Sequence, residues 1–158
     1  MEFIIDYAWL WGVVGLVMAF GIYRYVLTFS PGNEIMVEIM ERIHAGAMVF
    51  LKREYKIIAI FIAIVFVILI FALDIWTAVA FLVGAIGSLT AGLFGMQAAT
   101  LSNARTAEAA RTFGQGRALT VAFFGGSVMG LSVASLGLVG LGIFFFFFAE
   151  TNYTVITG

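Results

Sequence analysis

No soluble fold can hide the segment IIAIFIAIVFVILIF, Ile57 to Phe71. It carries no charge and no turn residue, and it belongs to one of four such stretches. They run from about Phe3 to Phe29, Ile57 to Leu73, Ile75 to Thr100 and Ala118 to Ala149. A helix that crosses a bilayer needs about 20 apolar residues, so four spans with short connectors account for a chain of 158 residues. Hydrophobic residues make up 63% of the chain and charged residues 11%, against roughly 45–50% and about 25% in soluble domains. A small soluble domain exposes too much of its surface to cover that load, so lipid must be the solvent. In lipid only helices and closed barrels satisfy their own backbones. The alternation of apolar and polar residues that marks barrel strands is missing. The expectation is an all-α membrane protein: four transmembrane helices in a glycine-rich bundle, forming one membrane domain over 1–158.

The connectors set the helix bounds. The first helix is expected over about 3–29. Ser30 beside Pro31, or Asn33, supplies the next helix start. Beyond it Ile35, Met36, Ile39, Met40, Ile43, Ala47, Phe50 and Leu51 recur at 3- and 4-residue steps, which predicts an amphipathic helix over 33–56 running into the span 57–73. Asp74 alone separates that span from the next, so the two form a tight hairpin. The third helix is expected over 75–111, because alanines and the ladder Arg105, Glu108, Arg111 favour continued helix beyond the lipid. Gly114 and Gly116 should break it before a fourth helix over 117–149.

Charge fixes the orientation. Arg24, Arg42, Lys52, Arg53 and Lys56 lie in or beside the first connector, and Arg105, Arg111 and Arg117 in or beside the third. The amino-terminal residues, the Asp74 turn and the tail carry no base. Alternate loops share a side, so the positive-inside rule places both long connectors in the cytoplasm and the N-terminus outside. Glu2 and Asp6 precede the first span where a cleavable signal would carry bases, so that span is expected to stay in the membrane. Trp9, Trp11 and Trp76 fit an aromatic belt on the outer side, and Tyr23 and Tyr25 one on the inner side. A net charge of −1 argues against a nucleic-acid partner, which leaves the lipid bilayer as the surrounding partner.

The span interiors contain no Asp, Glu, Lys, Arg or His, whereas ion pathways are marked by such groups at depth. Cysteine is absent, so there is no thiolate site. Glu34, Glu38 and Glu41 share a helix face, but Glu38 and Arg42 stand at i,i+4 as an ordinary surface pair. His44 is a lone histidine without the companions a metal site needs, and is expected to be packed or interfacial. Asn152-Tyr153-Thr154 has the form of a glycosylation sequon, a short pattern that arises often by chance. No catalytic, cofactor-binding or metal-binding residue is assigned.

Glycine is the strongest positive signal. Ala80, Gly84, Ser88 and Gly92 form one row on the third span, and Gly87, Ala91, Gly95 and Ala99 a second. Gly126, Gly130 and Ala134, then Gly137, form a row on the fourth. Small residues in such rows let helices approach closely in lipid. Gly84, Gly87, Gly92, Gly95, Gly126 and Gly130 are therefore the expected packing residues, and Arg105, Glu108 and Arg111 the residues expected to order the cytoplasmic loop. The run Phe144 to Phe148 is expected to face lipid.

Three ordered motifs carry a family resemblance. GAMVFLKREYKII (Gly46 to Ile58), GMQAATLSNARTAEAAR (Gly95 to Arg111) and FFGGSVMGLSVASLGLVGL (Phe123 to Leu141) resemble the early helices of membrane-bound, ion-translocating pyrophosphatases. The resemblance implies an enzyme that hydrolyses diphosphate to phosphate and moves H⁺ or Na⁺ out of the cytoplasm. It further implies a homodimer in a prokaryotic inner membrane, with Mg²⁺ as cofactor and, in one subclass, K⁺ as activator. The Asp-rich substrate motifs of that family have no counterpart here. The chain therefore resembles the N-terminal scaffold of such a pump, with pyrophosphate handled elsewhere and no turnover by this segment alone. Two other readings fit the residues: a complete small multi-pass transporter, and a non-enzymatic membrane assembly subunit.

Overall fold

The computed structural model describes residues 7–148, with side chains over 7–145. It contains four helices: α1 (Ala8–Val26), α2 (Glu34–Ala72), α3 (Ile75–Phe113) and α4 (Gln115–Phe148). All four are long and apolar enough to cross a membrane. Glu2, Asp6 and the Asn152 sequon lie outside the described residues, as do the expected outer ends of the first and fourth helices and the side chains of 146–148.

Each boundary has a local cause. Asn33, in extended conformation, caps α2 by accepting the Met36 amide on its side chain at 2.9 Å, which selects it over Ser30 as the helix start. Gly32 before it takes a positive φ of 98°. Asp74 caps α3, its Oδ1 accepting the amides of Trp76 at 2.8 Å and Thr77 at 3.0 Å. The break between α3 and α4 is Gly114 alone, at φ 84°. Gly116, expected to share that break, lies within the first turn of α4. One left-handed glycine suffices to end a helix.

The amphipathic segment and the second span are one unbroken helix of 39 residues. α3 also has 39 residues. At 1.5 Å per residue each is about 58 Å long, against a hydrocarbon core of about 30 Å. Both therefore project well beyond the lipid at the end where the basic residues gather, here called the basic end.

The helices stand in an open antiparallel row. α4 packs between α1 and α3, α2 packs on α3, and α1 makes only marginal contact with α3. A closed bundle would give α2 a second neighbour. Instead, no residue in the most apolar window of α2 is buried, and Phe71 is 86% exposed. Beyond the span, the stripe seen in sequence is divided. Met40 and Leu51 are buried, while Ile35, Ile39, Ile43 and Phe50 are exposed.

The seams follow a 3- and 4-residue repeat. On α4 the buried residues are Ala118, Val121, Gly125, Val128, Ser132, Ser135 and Gly142. At the basic end Val26, Ala109, Ala118 and Val121 form a cluster joined by Ile22, Phe29 and Phe124. Buried serines return their hydroxyls to their own helix: Ser102 to the Ala98 carbonyl and Ser132 to the Val128 carbonyl, both at 2.7 Å. Neither of these two hydroxyls is left an orphan in the apolar seam.

Candidate functional site

The seams show which glycines the packing needs. A Cβ built on Gly12 of α1 would lie 2.7 Å from the Ser135 carbonyl oxygen and 2.8 Å from the Val139 amide nitrogen of α4. One on Gly142 would lie 2.6 Å from the Trp9 amide nitrogen. Gly15 faces Ser135 in the same seam. Between α3 and α4, Gly95 faces Met129 at 2.5 Å and Gly125 faces the Ser102 Cβ at 2.7 Å. Small residues at these positions allow backbone approach that side chains would forbid.

The sequence-derived set divides accordingly. Gly95 sits in the α3–α4 seam, Gly87 touches its margin at the Leu136 Cβ, 4.0 Å away, and Gly92 faces the Tyr55 hydroxyl of α2 at 3.1 Å. Gly84, Gly126 and Gly130 meet nothing within 4 Å. The α4 row read from sequence falls between the seam positions, Gly126 one residue past Gly125 and Gly130 two residues from Val128 and Ser132, and each helical position turns the face by about 100°. Gly12, Gly15, Gly125 and Gly142 were missed. The signal that locates Gly125 and Gly142 is the heptad-like spacing of small and β-branched residues from Ala118 to Gly142, rather than a four-residue row.

The Arg105, Glu108, Arg111 ladder is also divided. Arg111 grips Glu108 side-on, with Nε to Oε2 and Nη2 to Oε1 both at 2.8 Å. The Thr112 hydroxyl bonds Oε1 at 3.0 Å. The Arg111 hydrogen bonds hold the Glu108 carboxyl below its ordinary value. Glu108 is 12% exposed and Arg111 66%. Oε2 of Glu108 lies 3.3 Å from where a Gly32 side chain would begin, so this ion pair backs the turn between α1 and α2. Arg105 takes no part in it. Its Nη1 donates to the Leu101 carbonyl at 2.6 Å and reaches Met40 Sδ at 3.5 Å.

Three contacts pin α2 to α3. His44 Nδ1 meets Thr100 Oγ1 at 2.7 Å, and Thr100 Oγ1 also donates to the Met96 carbonyl. The Tyr55 hydroxyl donates to the Leu89 carbonyl, and Met40 meets Arg105. Glu38 and Arg42 make the expected exposed pair at 2.7 Å. Arg117 lies over the Phe29 ring at 5.2 Å, closing the start of α4 onto the end of α1.

Among the described residues no three His, Cys, Asp or Glu side chains converge to hold a metal ion. Glu108 and Glu38, moreover, are already bonded to arginines. This donor set does not fit a magnesium site. What the basic end offers is a platform of two projecting helices that carries more bases than acids.

Comparison with known proteins gives that platform a context. The family model described as inorganic H⁺ pyrophosphatase matches residues 13–158. A putative K⁺-stimulated pyrophosphate-energized sodium pump of Clostridium tetani is 51% identical over 158 residues, covering 100% of this chain and 23% of the relative. A K⁺-stimulated pyrophosphate-energized sodium pump of Thermotoga maritima is 46% identical, covering 87% of this chain and 19% of its own length. A K⁺-insensitive pyrophosphate-energized proton pump of Pyrobaculum aerophilum is 41% identical, covering 87% and 20%. The chain thus spans about a fifth of the length of the curated relatives it matches.

Proposed function

The chain belongs to the inorganic H⁺ pyrophosphatase family, and from that premise we propose that it forms the N-terminal transmembrane scaffold of a pyrophosphate-driven H⁺ or Na⁺ pump. The observation that carries this reading is the family match across 13–158, combined with four membrane-length helices whose interiors hold no ionisable group. A scaffold needs close seams and no charge at depth; a conduction path needs the reverse. Diphosphate hydrolysis, Mg²⁺ binding and ion transfer are accordingly assigned to the remaining length of the full protein, as is pairing into a homodimer. Gly84, Gly126 and Gly130, where an added Cβ meets no described atom within 4 Å, would then pack against helices of that remainder. The basic end faces the cytoplasm in this reading, since the eight bases gather there.

The test is transport by the full-length protein in sealed vesicles. Pyrophosphate with Mg²⁺ should drive H⁺ or Na⁺ accumulation, assayed with and without K⁺. The 158-residue segment expressed alone should show no pyrophosphate turnover. A full-length protein that hydrolyses nothing, or a segment that transports unaided, would overturn the reading.

A further inference from the structure

Arg105 occupies a seam register. It falls on the 3- and 4-residue steps that carry the buried residues Ala98, Ser102 and Ala109 of α3. Its Nε is buried and has no hydrogen-bond partner among the described residues. Its Nη1 is occupied by Leu101 and Met40, and no ion pair joins it to a described acid. An arginine keeps its charge even when desolvated, and burying the half-covered side chain's Nε without a hydrogen-bond partner is unfavourable.

The same helix shows what such an edge accepts. Six residues further on, Arg111 uses Nε and Nη2 to hold the two oxygens of Glu108. This is the side-on, two-point geometry that suits a planar carboxylate. In Arg105 that edge makes no hydrogen bond. Nor can the neighbouring acid serve it, because Glu108 is committed to Arg111 and Thr112.

Arg105 also stands beside a groove. A cavity of about 370 Å³ opens between α1 and α3, lined by Leu16, Phe20 and Tyr23 on one wall and Phe94 and Gln97 on the other, with Ser132 of α4 in its floor. Phe94, Gln97, Leu101 and Arg105 follow one face of α3 at 3- and 4-residue steps. Tyr23 on the opposite wall is close enough to influence Arg105 electrostatically, while burial lowers the basicity of the guanidinium. The groove is largely apolar, and Arg105 lies about two helical turns beyond Gln97 on its α3 wall. That is the complement of a membrane helix carrying one acid near its cytoplasmic end.

We propose that the α1–α3 groove seats a further helix of the full-length protein, and that a carboxylate on that helix pairs with the Nε–Nη2 edge of Arg105. The inference rests on the reading of this chain as part of a longer pump. Relatives about five times as long leave ample chain to supply such a helix. A fixed carboxylate matches a directional edge whose Nε is buried, whereas a lipid phosphate at the water boundary would meet Arg105 only if its Nε faced the headgroups.

The experiment uses the full-length protein and reads heat resistance in detergent, not turnover. Arg105→Gln should lower the yield of heat-resistant protein at least tenfold, because losing one partner of such a pair leaves the other charge unpaired. Arg105→Lys should recover part of it, keeping the charge but not the fork. In an Arg105→Glu background, each Asp and Glu beyond this segment is changed in turn to Arg, and one reversal should restore resistance. Arg105→Gln behaving like the parent would overturn the proposal. So would rescue by no reversal, with the parent instead losing resistance when anionic lipid is stripped away. A protein that shows the rescue but cannot hydrolyse pyrophosphate would keep the pairing and sink the pump reading.

Discussion

The Trp9 backbone of α1 lies against Gly142 of α4 so closely that a Cβ on Gly142 would fall 2.6 Å from the Trp9 amide nitrogen and 3.0 Å from its Cα. Gly12 repeats the relationship in reverse, against the Val139 backbone. Backbone atoms cannot swing aside as a flexible side chain can, so these glycines fix how near α1 approaches α4.

Gly142→Ala should therefore push α1 from α4. The expected cost is about 1–3 kcal/mol, the range for overpacking a close-packed site, despite the better helix propensity of alanine. A fall in the melting temperature of the full-length protein would show it. An unchanged or raised value would mean that the seam is looser than described.

At Gly126 an added Cβ meets no described atom within 4 Å, so the site is open to the Gly126→Ile substitution. If Gly126 packs against later helices, the variant should lower assembly and pumping of the full-length protein together. Assembly equal to that of the parent would remove Gly126 from the packing set.

At Gly32 two penalties coincide. Its φ of 98° lies in the left-handed region, and an added Cβ would stand 2.5 Å from Met36 Sδ. Gly32→Ala should destabilise by about 1–2 kcal/mol from backbone strain, with some relief if the methionine shifts. Gly46→Ala, a helical position with nothing within 4 Å, is the matched control, and thermal melts of the pair decide the point.

Acid should loosen the basic end. Hydrogen bonds from Arg111 first, and also from Thr112, lower the Glu108 carboxyl in the folded protein. Its stabilisation is therefore fully present above the ordinary carboxylate value and is lost as pH falls through the depressed one. Glu108→Gln should flatten the acid limb of a stability-against-pH curve. A limb of unchanged slope would assign acid sensitivity to other groups.

Tyr55 ties α2 to α3 through the Leu89 carbonyl. Tyr55→Phe should weaken that seam by about 1 kcal/mol, the usual net worth of one hydrogen bond. The readout is disulfide cross-linking of engineered cysteine pairs across α2 and α3, with less efficient cross-linking expected in the variant.

Much of this fold is legible in the residues. Runs such as Ile57 to Phe71 dictate helices because lipid offers backbone groups no other partner. Asp74, Asn33 and Gly114 mark their ends through capping and a left-handed turn. What tertiary structure alone decided is which face of each helix turns inward. In water, polar residues would label the outer face, but in lipid both faces are apolar and Gly125 and Gly126 look alike in sequence. Only the packing of α4 between α1 and α3 separates them, burying one and leaving the other open. The same holds for Arg105 and Arg111. Sequence set them on one ladder with Glu108, and geometry gave the carboxylate to Arg111, because the register of α3 carries the Arg105 side chain into the seam beside Met40.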